Sequence, residues 1–547
     1  MASRAPTICL LSYLLQILGI AFRMGKFISR YLDFARYVGK VITTMVFLCA
    51  RQVAMQSLSV VTAGLHILSR LRNNTWTLLQ LPGRFLQLIT DISSGTLTVR
   101  DNRTDLQYLI PITQNAIDAV DIGRIVDPSH QSQSGLRVFD PGYLNTACIK
   151  SNITFIDGQR GYIQYRQFSI EYLFENHDYE EVIYLLIWGK LPDKSDKEHF
   201  QRKLAASCVP PEHVVRTIAS FSRDSSTSTM MIAGIAAYAS HDEGAISIMG
   251  SARPAYLGRA GQVDAAIIRC MSALATVVAL VYCHKRGKDL TPAHPSDSFV
   301  ANVVRMMGFR DKRSSALPDV GIQRCLEKLW ILYADHEMTN STAAFLHAAS
   351  TLTDPLSCCI SAIVSGYGPL HGGAIDLAYK TFEKIKTPNE VCSLITAVKT
   401  NKQRLYGYGH RIYKTVDPRV KLIHRMIDQH RDKVESNPML AVALEIDRVA
   451  NDDEYFTSRN LKANADLYGC FLYTAMGFET DIIVAMASLS RAAGVLAHWR
   501  EAMLERGPAL WRPKQIFTGK VLSPTVKTYK DSRAGDKPNV SLSQVPQ

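Results

Sequence analysis

A chain of 547 residues, 47% hydrophobic and 20% charged, carries enough apolar surface for two or more packed domains, which excludes a mostly disordered protein. The formal charge of +13 would suit a nucleic acid or a membrane if evenly spread. Instead, ten Lys or Arg against the single acid Asp33 put +9 into residues 1–90 and leave only +4 for the rest, so the body reads as an ordinary soluble protein with no nucleic-acid partner.

Residues 1–94 form a basic, acid-poor extension with interleaved apolar residues, a composition shared by mitochondrial presequences and membrane-surface helices. Its uncharged run Ile8 to Phe22 is 15 residues long, short of the roughly 20 that span a bilayer. Organelle targeting, a membrane-associated or packed segment, and a misassigned gene start all fit; membrane contact is not favoured. The expected setting is intracellular: mitochondrial if the extension is a presequence, otherwise cytoplasmic. The terminal Val545-Pro546-Gln547 does not match a peroxisomal signal. Eleven scattered cysteines without a CxxC indicate neither a zinc knuckle nor a disulfide framework.

Two short β-hairpins follow. Leu97 and Val99 alternate against Leu106, Tyr108 and Ile110 around Asp101 to Thr104, and Ile153 to Ile156 turns at Asp157-Gly158 into Tyr162 to Tyr165. Helical periods then take over. Asp178 with Glu181 forms a capping box ahead of Val182, Leu185, Leu186 and Gly189, closed by Pro192. Leu326, Leu329, Trp330 and Tyr333 repeat that spacing up to the cluster Asp335-His336-Glu337. No long repeat is visible, and the tail 520–547 is polar and expected to be loose.

Three features carry chemistry. Gly366-Tyr367-Gly368-Pro369-Leu370-His371-Gly372-Gly373 packs four glycines and a proline around one histidine, a turn whose backbone could approach a ligand closely; a tight turn around a satisfied histidine fits the same residues. Gly407-Tyr408-Gly409-His410-Arg411-Ile412-Tyr413-Lys414, followed by Asp417-Pro418-Arg419, sets a second histidine among cations suited to an anion, or to a solvated helix start. Arg491 is the single formal charge in the apolar helix Ile482 to Trp499, where a guanidinium needs an anionic ligand or an internal salt bridge. His336, His371 and His410 lack metal-ligand spacing, so no metal is expected.

These motifs, with Asp140-Pro141-Gly142-Tyr143-Leu144-Asn145-Thr146, Thr154-Phe155-Ile156-Asp157-Gly158 and Trp511-Arg512-Pro513-Lys514-Gln515, resemble in order those of citrate synthases of the bacterial and fungal form, over about Gly95 to Gly519. The resemblance implies an all-α fold with short N-terminal β-hairpins. It comprises a large helical domain (95–371 and 483–519) and a smaller mobile one (372–482) that closes over the substrates. It implies condensation of an acyl-CoA with oxaloacetate and hydrolysis of the thioester, without a metal or redox cofactor. His371 resembles the donor to the thioester carbonyl, Asp466 the base that takes the α-proton, and His410 the acid on the ketone oxygen. His336, Arg419, Arg491 and Arg512 resemble the oxaloacetate cluster, with Arg512 reaching in from the second subunit of a homodimer, and Lys414 sits where the family has a basic residue near CoA phosphate.

The chain departs from the common pattern at Arg223-Asp224-Ser225-Ser226-Thr227-Ser228-Thr229-Met230, where relatives often have Arg-Asp-x-His-Pro-Met, and at Tyr165-Arg166-Gln167-Phe168-Ser169 in place of YRGYP. An intact centre in changed surroundings suggests a changed acyl group. The expected activity is therefore an alkylcitrate synthase of a specialised pathway. Ordinary citrate synthesis from acetyl-CoA, 2-methylcitrate synthesis from propionyl-CoA and a non-catalytic member are the alternatives.

Overall fold

The computed structural model describes residues 95–128, 135–242, 254, 256–311, 314, 317–506 and 509–519; the basic N-terminal segment, its apolar run Ile8 to Phe22 and the tail beyond Gly519 lie outside them. The chain divides into two compact units, one through Asn145 and one from Thr146.

In the first unit, the expected hairpin is formed by strands Gly95–Asp101 and Leu106–Thr113, with Leu97 opposite Ile110 and Val99 opposite Tyr108. Asp101 holds the turn by accepting from Arg103 N at 3.0 Å and Arg103 Nε at 2.9 Å. Ala116–Ile117 adds a short third strand, and Asp118 caps the helix Ala119–Ile122.

The second unit opens with the other hairpin, Thr154–Asp157 against Tyr162–Tyr165, extended by Phe168–Ser169, and is otherwise helical. The sequence rules act locally as expected at the start of the first long helix, which ends before Gly189, ahead of the expected Pro192. Asp178 and Glu181 complete a reciprocal capping box on Tyr179–Trp188, and Gly189 ends that helix in the left-handed region at φ 78°. The core is organised around Ala260–Lys285 and Ile483–Glu501. Both are long and apolar enough to cross a bilayer, yet both lie mostly buried inside the unit. Ile483–Glu501 packs against Tyr179–Trp188, Ala260–Lys285, Val320–Tyr333, Asn340–Ala349 and Gly373–Ile385. Arg491 thus stands at the junction of several helices. Between 372 and 482, the helices Gly373–Ile385, Val391–Lys399, Pro418–Gln429, Met439–Asp452 and Ala465–Ala475 pack on one another.

Candidate active site

The helix Val320–Tyr333 buries Leu326, Leu329, Trp330 and Tyr333 and then delivers the chain into Ala334-Asp335-His336-Glu337. That turn is held from several sides. Tyr165 Oη donates to the Asp335 carbonyl at 2.9 Å, and Glu337, at φ 55°, accepts from Ile156 N at 2.8 Å. The Asp335 carboxylate is fully buried, lies 3.3 Å from His498 Nε2 and accepts from Glu337 N at 3.2 Å. Burial pushes its pKa up, but His498, Arg491 and Thr154 together hold it below the ordinary value. Gly494 makes this packing possible, since a Cβ there would fall 2.2 Å from Asp335 Oδ1. His336 is buried, with Nε2 2.7 Å from Tyr413 Oη. Burial, reinforced by Arg419, Arg491 and His410, lowers its pKa well below the ordinary histidine value.

The turn around His410 is shaped by Gly407 and Gly409, at φ 81° and 80°. Gly407 also lies against the Leu467 backbone, where a Cβ would come within 2.9 Å. Asn464 N donates to Gly407 O at 3.0 Å, Asn464 Nδ2 to Gly409 O at 2.8 Å, and Gly409 N to Lys462 O at 2.7 Å. The turn is thereby fastened to the start of the helix Ala465–Ala475, which carries Asp466. Nδ1 of His410 accepts from Ile412 N at 3.0 Å and Tyr413 N at 3.4 Å, which puts the ring proton on Nε2. Burial and the Arg419 charge lower its pKa to about 4. Its ring is 5.3 Å from that of His336 and 4.5 Å from that of Tyr413.

His371 follows the helix Pro355–Gly366 and precedes Gly373–Ile385. Its Nε2 accepts from the backbone N–H of Ser341 at 3.3 Å, at the start of the helix Asn340–Ala349, and lies 2.8 Å from Ser341 Oγ. The proton is therefore on Nδ1. Burial and Arg491 lower this pKa to about 4. None of the glycines Gly366, Gly368, Gly372 and Gly373 in this turn has positive φ. Gly372 and Gly373 let the chain fold onto itself, because Cβ atoms there would meet Gly366 O at 2.6 Å and Tyr367 O at 2.3 Å.

Arg419 is buried and forms a two-point pair with Asp417, Nε to Oδ1 at 3.0 Å and Nη2 to Oδ2 at 2.6 Å. Arg491 makes no such pair among the described residues. Its Nε donates to the carbonyl of Tyr333 at 2.6 Å, at the negative end of a helix, and burial lowers its pKa. Among the described residues the Asp335 and Asp466 charges act on this cation without forming an ion pair with it. Tyr333 links the set: its carbonyl takes Arg491, its ring lies 5.5 Å beneath Arg419, and its hydroxyl donates to Ala465 O at 3.0 Å beside Asp466. Asp466 is pushed up to about 6 by burial, against the pull of Arg419 and Arg491. The Arg491 charge acts on His336, His371 and Asp466, and that of Arg419 on His336, His410 and Asp466, so the fold brings these six side chains together.

Two of the sequence-selected residues are exposed. Lys414 is exposed beside His410, its backbone N bonded to Gly158 O at 2.9 Å. Arg512 is exposed in an extended segment anchored by Trp511 N on Ser350 Oγ at 3.1 Å. Among the described residues no group of three His, Cys, Asp or Glu could hold a metal. Sequence reasoning gave no role to Ser341, Tyr413 or Asp417; Tyr413 pairs with His336 from 77 positions away, and Asp417 pairs with Arg419 two positions on.

A citrate synthase C-terminal domain family model matches residues 142–514. The citrate synthase-like protein oryE of Aspergillus oryzae is 45% identical over 78% of this chain and 96% of its own length. The alkylcitrate synthase tstJ of Talaromyces stipitatus is 36% identical over 79% and 96%. Citrate synthase of Thermoplasma acidophilum, solved with carboxymethyl coenzyme A and oxaloacetate, superposes with a TM-score of 0.64 at 26% identity, covering 72% of this chain and 99% of that one. With this fold, this order of motifs and these relatives, the chain belongs to the citrate synthase family.

Proposed function

We propose that this condensing enzyme joins oxaloacetate to an acyl-CoA longer than acetyl-CoA, giving an alkylcitrate and free CoA. The observation that carries the reading is that the candidate catalytic residues are all retained while the chain changes elsewhere: Ser226 and Thr227, in the stretch that departs from the common family pattern, begin the helix Thr227–Ala239. That helix packs on Pro355–Gly366, which leads into the His371 turn, and this packing supports a change on the acyl side. Relatives named alkylcitrate synthases support the same choice.

In this reading Arg419, Arg491 and His336 hold the carboxylates of oxaloacetate. The Nδ1–H of His371 donates to the thioester carbonyl while Asp466 takes the α-proton. A carboxylate raised to about 6 is a stronger base than an ordinary one yet still ionised at neutral pH. The carbonyl oxygen gains charge as the proton leaves, and a neutral positioned donor meets it at the cost of about 3–4 kcal/mol if removed. The enol carbon attacks the ketone, whose oxygen receives the proton of His410 Nε2. Water then cleaves the thioester and CoA leaves as the thiol. Condensation and hydrolysis together oxidise or reduce nothing overall, so the scheme includes no redox cofactor.

His410, Arg419 and Asp466 lie in 372–482, whereas His336, His371 and Arg491 lie outside it. Closure of one group on the other would assemble the centre and exclude water. Leu510, Ile516 and Phe517 flank Arg512 and are exposed on the single chain, which supports an arm that packs on a second copy and carries Arg512 into the neighbouring site.

The deciding assay is thiol release and product mass with oxaloacetate and acetyl-, propionyl-, hexanoyl- and longer acyl-CoAs. The expected result is a higher kcat/KM for a longer acyl group than for acetyl. A preference for acetyl-CoA would make the chain an ordinary citrate synthase, and release with none would make it non-catalytic.

A further inference from the structure

Asp447 stands on the helix Met439–Asp452 and has no part in the chemistry above. Its carboxylate nevertheless joins the two reacting turns. Tyr408 Oη donates to Oδ1 at 2.6 Å, and Tyr468 Oη donates to Oδ2 at 2.7 Å. Tyr408 is two residues before His410, and Tyr468 is two residues after Asp466. A third donor, Asn451 Nδ2, holds Oδ1 at 2.8 Å from one helical turn further on.

The geometry leaves little slack. Both phenols are kept protonated, since burial and the neighbouring carboxylate push their pKa values up. Hydrogen bonds to an ionised acceptor are shorter and stronger than neutral ones, and two donors on opposite oxygens fix the carboxylate plane. The rings are wedged as well: Tyr468 lies 4.3 Å from His424, and Tyr408 lies edge-on to Phe456 at 5.6 Å. Around this clamp the main chains are already zipped, with Tyr408 bridged to Ala463. The backbone contacts set which segments are neighbours. The clamp sets how far apart their side-chain-bearing ends stand.

We infer that Asp447 is a positioning residue that fixes the separation between His410 and Asp466 through Tyr408 and Tyr468. The inference rests on the roles given to those two residues above. Misplacing a reacting group by about 1 Å costs on the order of 100-fold in rate, so a residue that touches no substrate can govern turnover.

The test compares Asp447→Asn, Tyr408→Phe, Tyr468→Phe and the double Tyr→Phe variant with the wild-type homodimer. Two steps are measured separately. Loss of α-deuterium from labelled acyl-CoA, with malate in the oxaloacetate site, reads Asp466; steady-state thiol release with oxaloacetate reads the whole reaction, including His410. Asp447→Asn has one acceptor oxygen for two phenols, and is expected to slow both by tenfold or more while the KM for oxaloacetate stays within about threefold. Tyr468→Phe should slow deuterium loss. Tyr408→Phe should spare deuterium loss and slow thiol release. Asp447→Asn and the double variant should be equally impaired. If Asp447→Asn does not fold, the double variant, which keeps both rings, carries the comparison. Rates within twofold of wild type in either would overturn the inference, as would a fall in rate matched by an equal fall in oxaloacetate affinity. A wild-type enzyme that releases no thiol with any acyl-CoA would overturn the assigned roles and this inference with them.

Discussion

Ser341 N donates to His371 Nε2 at 3.3 Å, and this one bond decides which face of the imidazole is a donor. Because the acceptor nitrogen is fixed from the backbone, the Ser341 hydroxyl on the same atom is an accessory. Ser341→Ala should therefore retain turnover within about fivefold. His371→Ala should lower kcat by about 100- to 1000-fold, the usual loss for one oxyanion donor. Isothermal titration with oxaloacetate should find affinity within twofold in both.

Asp466 couples activity to stability in opposite senses. Its folded pKa of about 6 against an ordinary 3.8 means that the folded chain still holds this proton at pH values where the unfolded chain has lost it. Its contribution is thus fully present below about pH 4 and is lost as pH rises through 6. Asp466→Asn should abolish turnover and raise stability at pH 7 by about 3 kcal/mol, with no gain near pH 4. Thermal melts across pH check the sign. In the wild type kcat/KM should fall tenfold per pH unit below about 6, since His371 and His410, at about 4, do not titrate there.

Arg491 is retained at a cost. With no carboxylate paired to it in the described chain, Arg491→Met should leave the ligand-free protein at least as stable, because removing a poorly solvated cation relieves desolvation. Oxaloacetate should then no longer raise Tm. A large drop in Tm without ligand would show that the guanidinium serves the fold instead.

Arg512 tests the partner's contribution by complementation. Asp466→Ala and Arg512→Ala homodimers should each be inactive. Dissociated and reassociated together, they should recover about a quarter of wild-type activity, since about half the dimers are mixed and each holds one intact site. No recovery would place Arg512 in its own subunit's site.

Much of this was legible in the sequence where the cause is local. The capping box at Asp178 and Glu181 needs only three residues of spacing, and Gly407 and Gly409 announce themselves because the turn demands positive φ. What stayed hidden depends on distant chain segments meeting. Ser341 reaches His371 across 30 residues, and Arg491 reaches the Tyr333 carbonyl across 158. The glycines after His371 were visible as a signal but not as a cause. Their smallness serves contact of the chain with itself, which only the folded backbone displays.

Tyr333 holds two cations near one point before any substrate arrives, one through its carbonyl and one under its ring. Arg419 has a paired counter-charge in Asp417, whereas Arg491 is bonded to a carbonyl and, among the described residues, feels Asp335 and Asp466 without pairing to either. The resting enzyme is accordingly an anion trap. Citrate, sulfate or phosphate in a purification buffer will settle there, compete with oxaloacetate and lift the melting temperature. Kinetic constants for this protein will therefore depend on the anion of the buffer as much as on its pH.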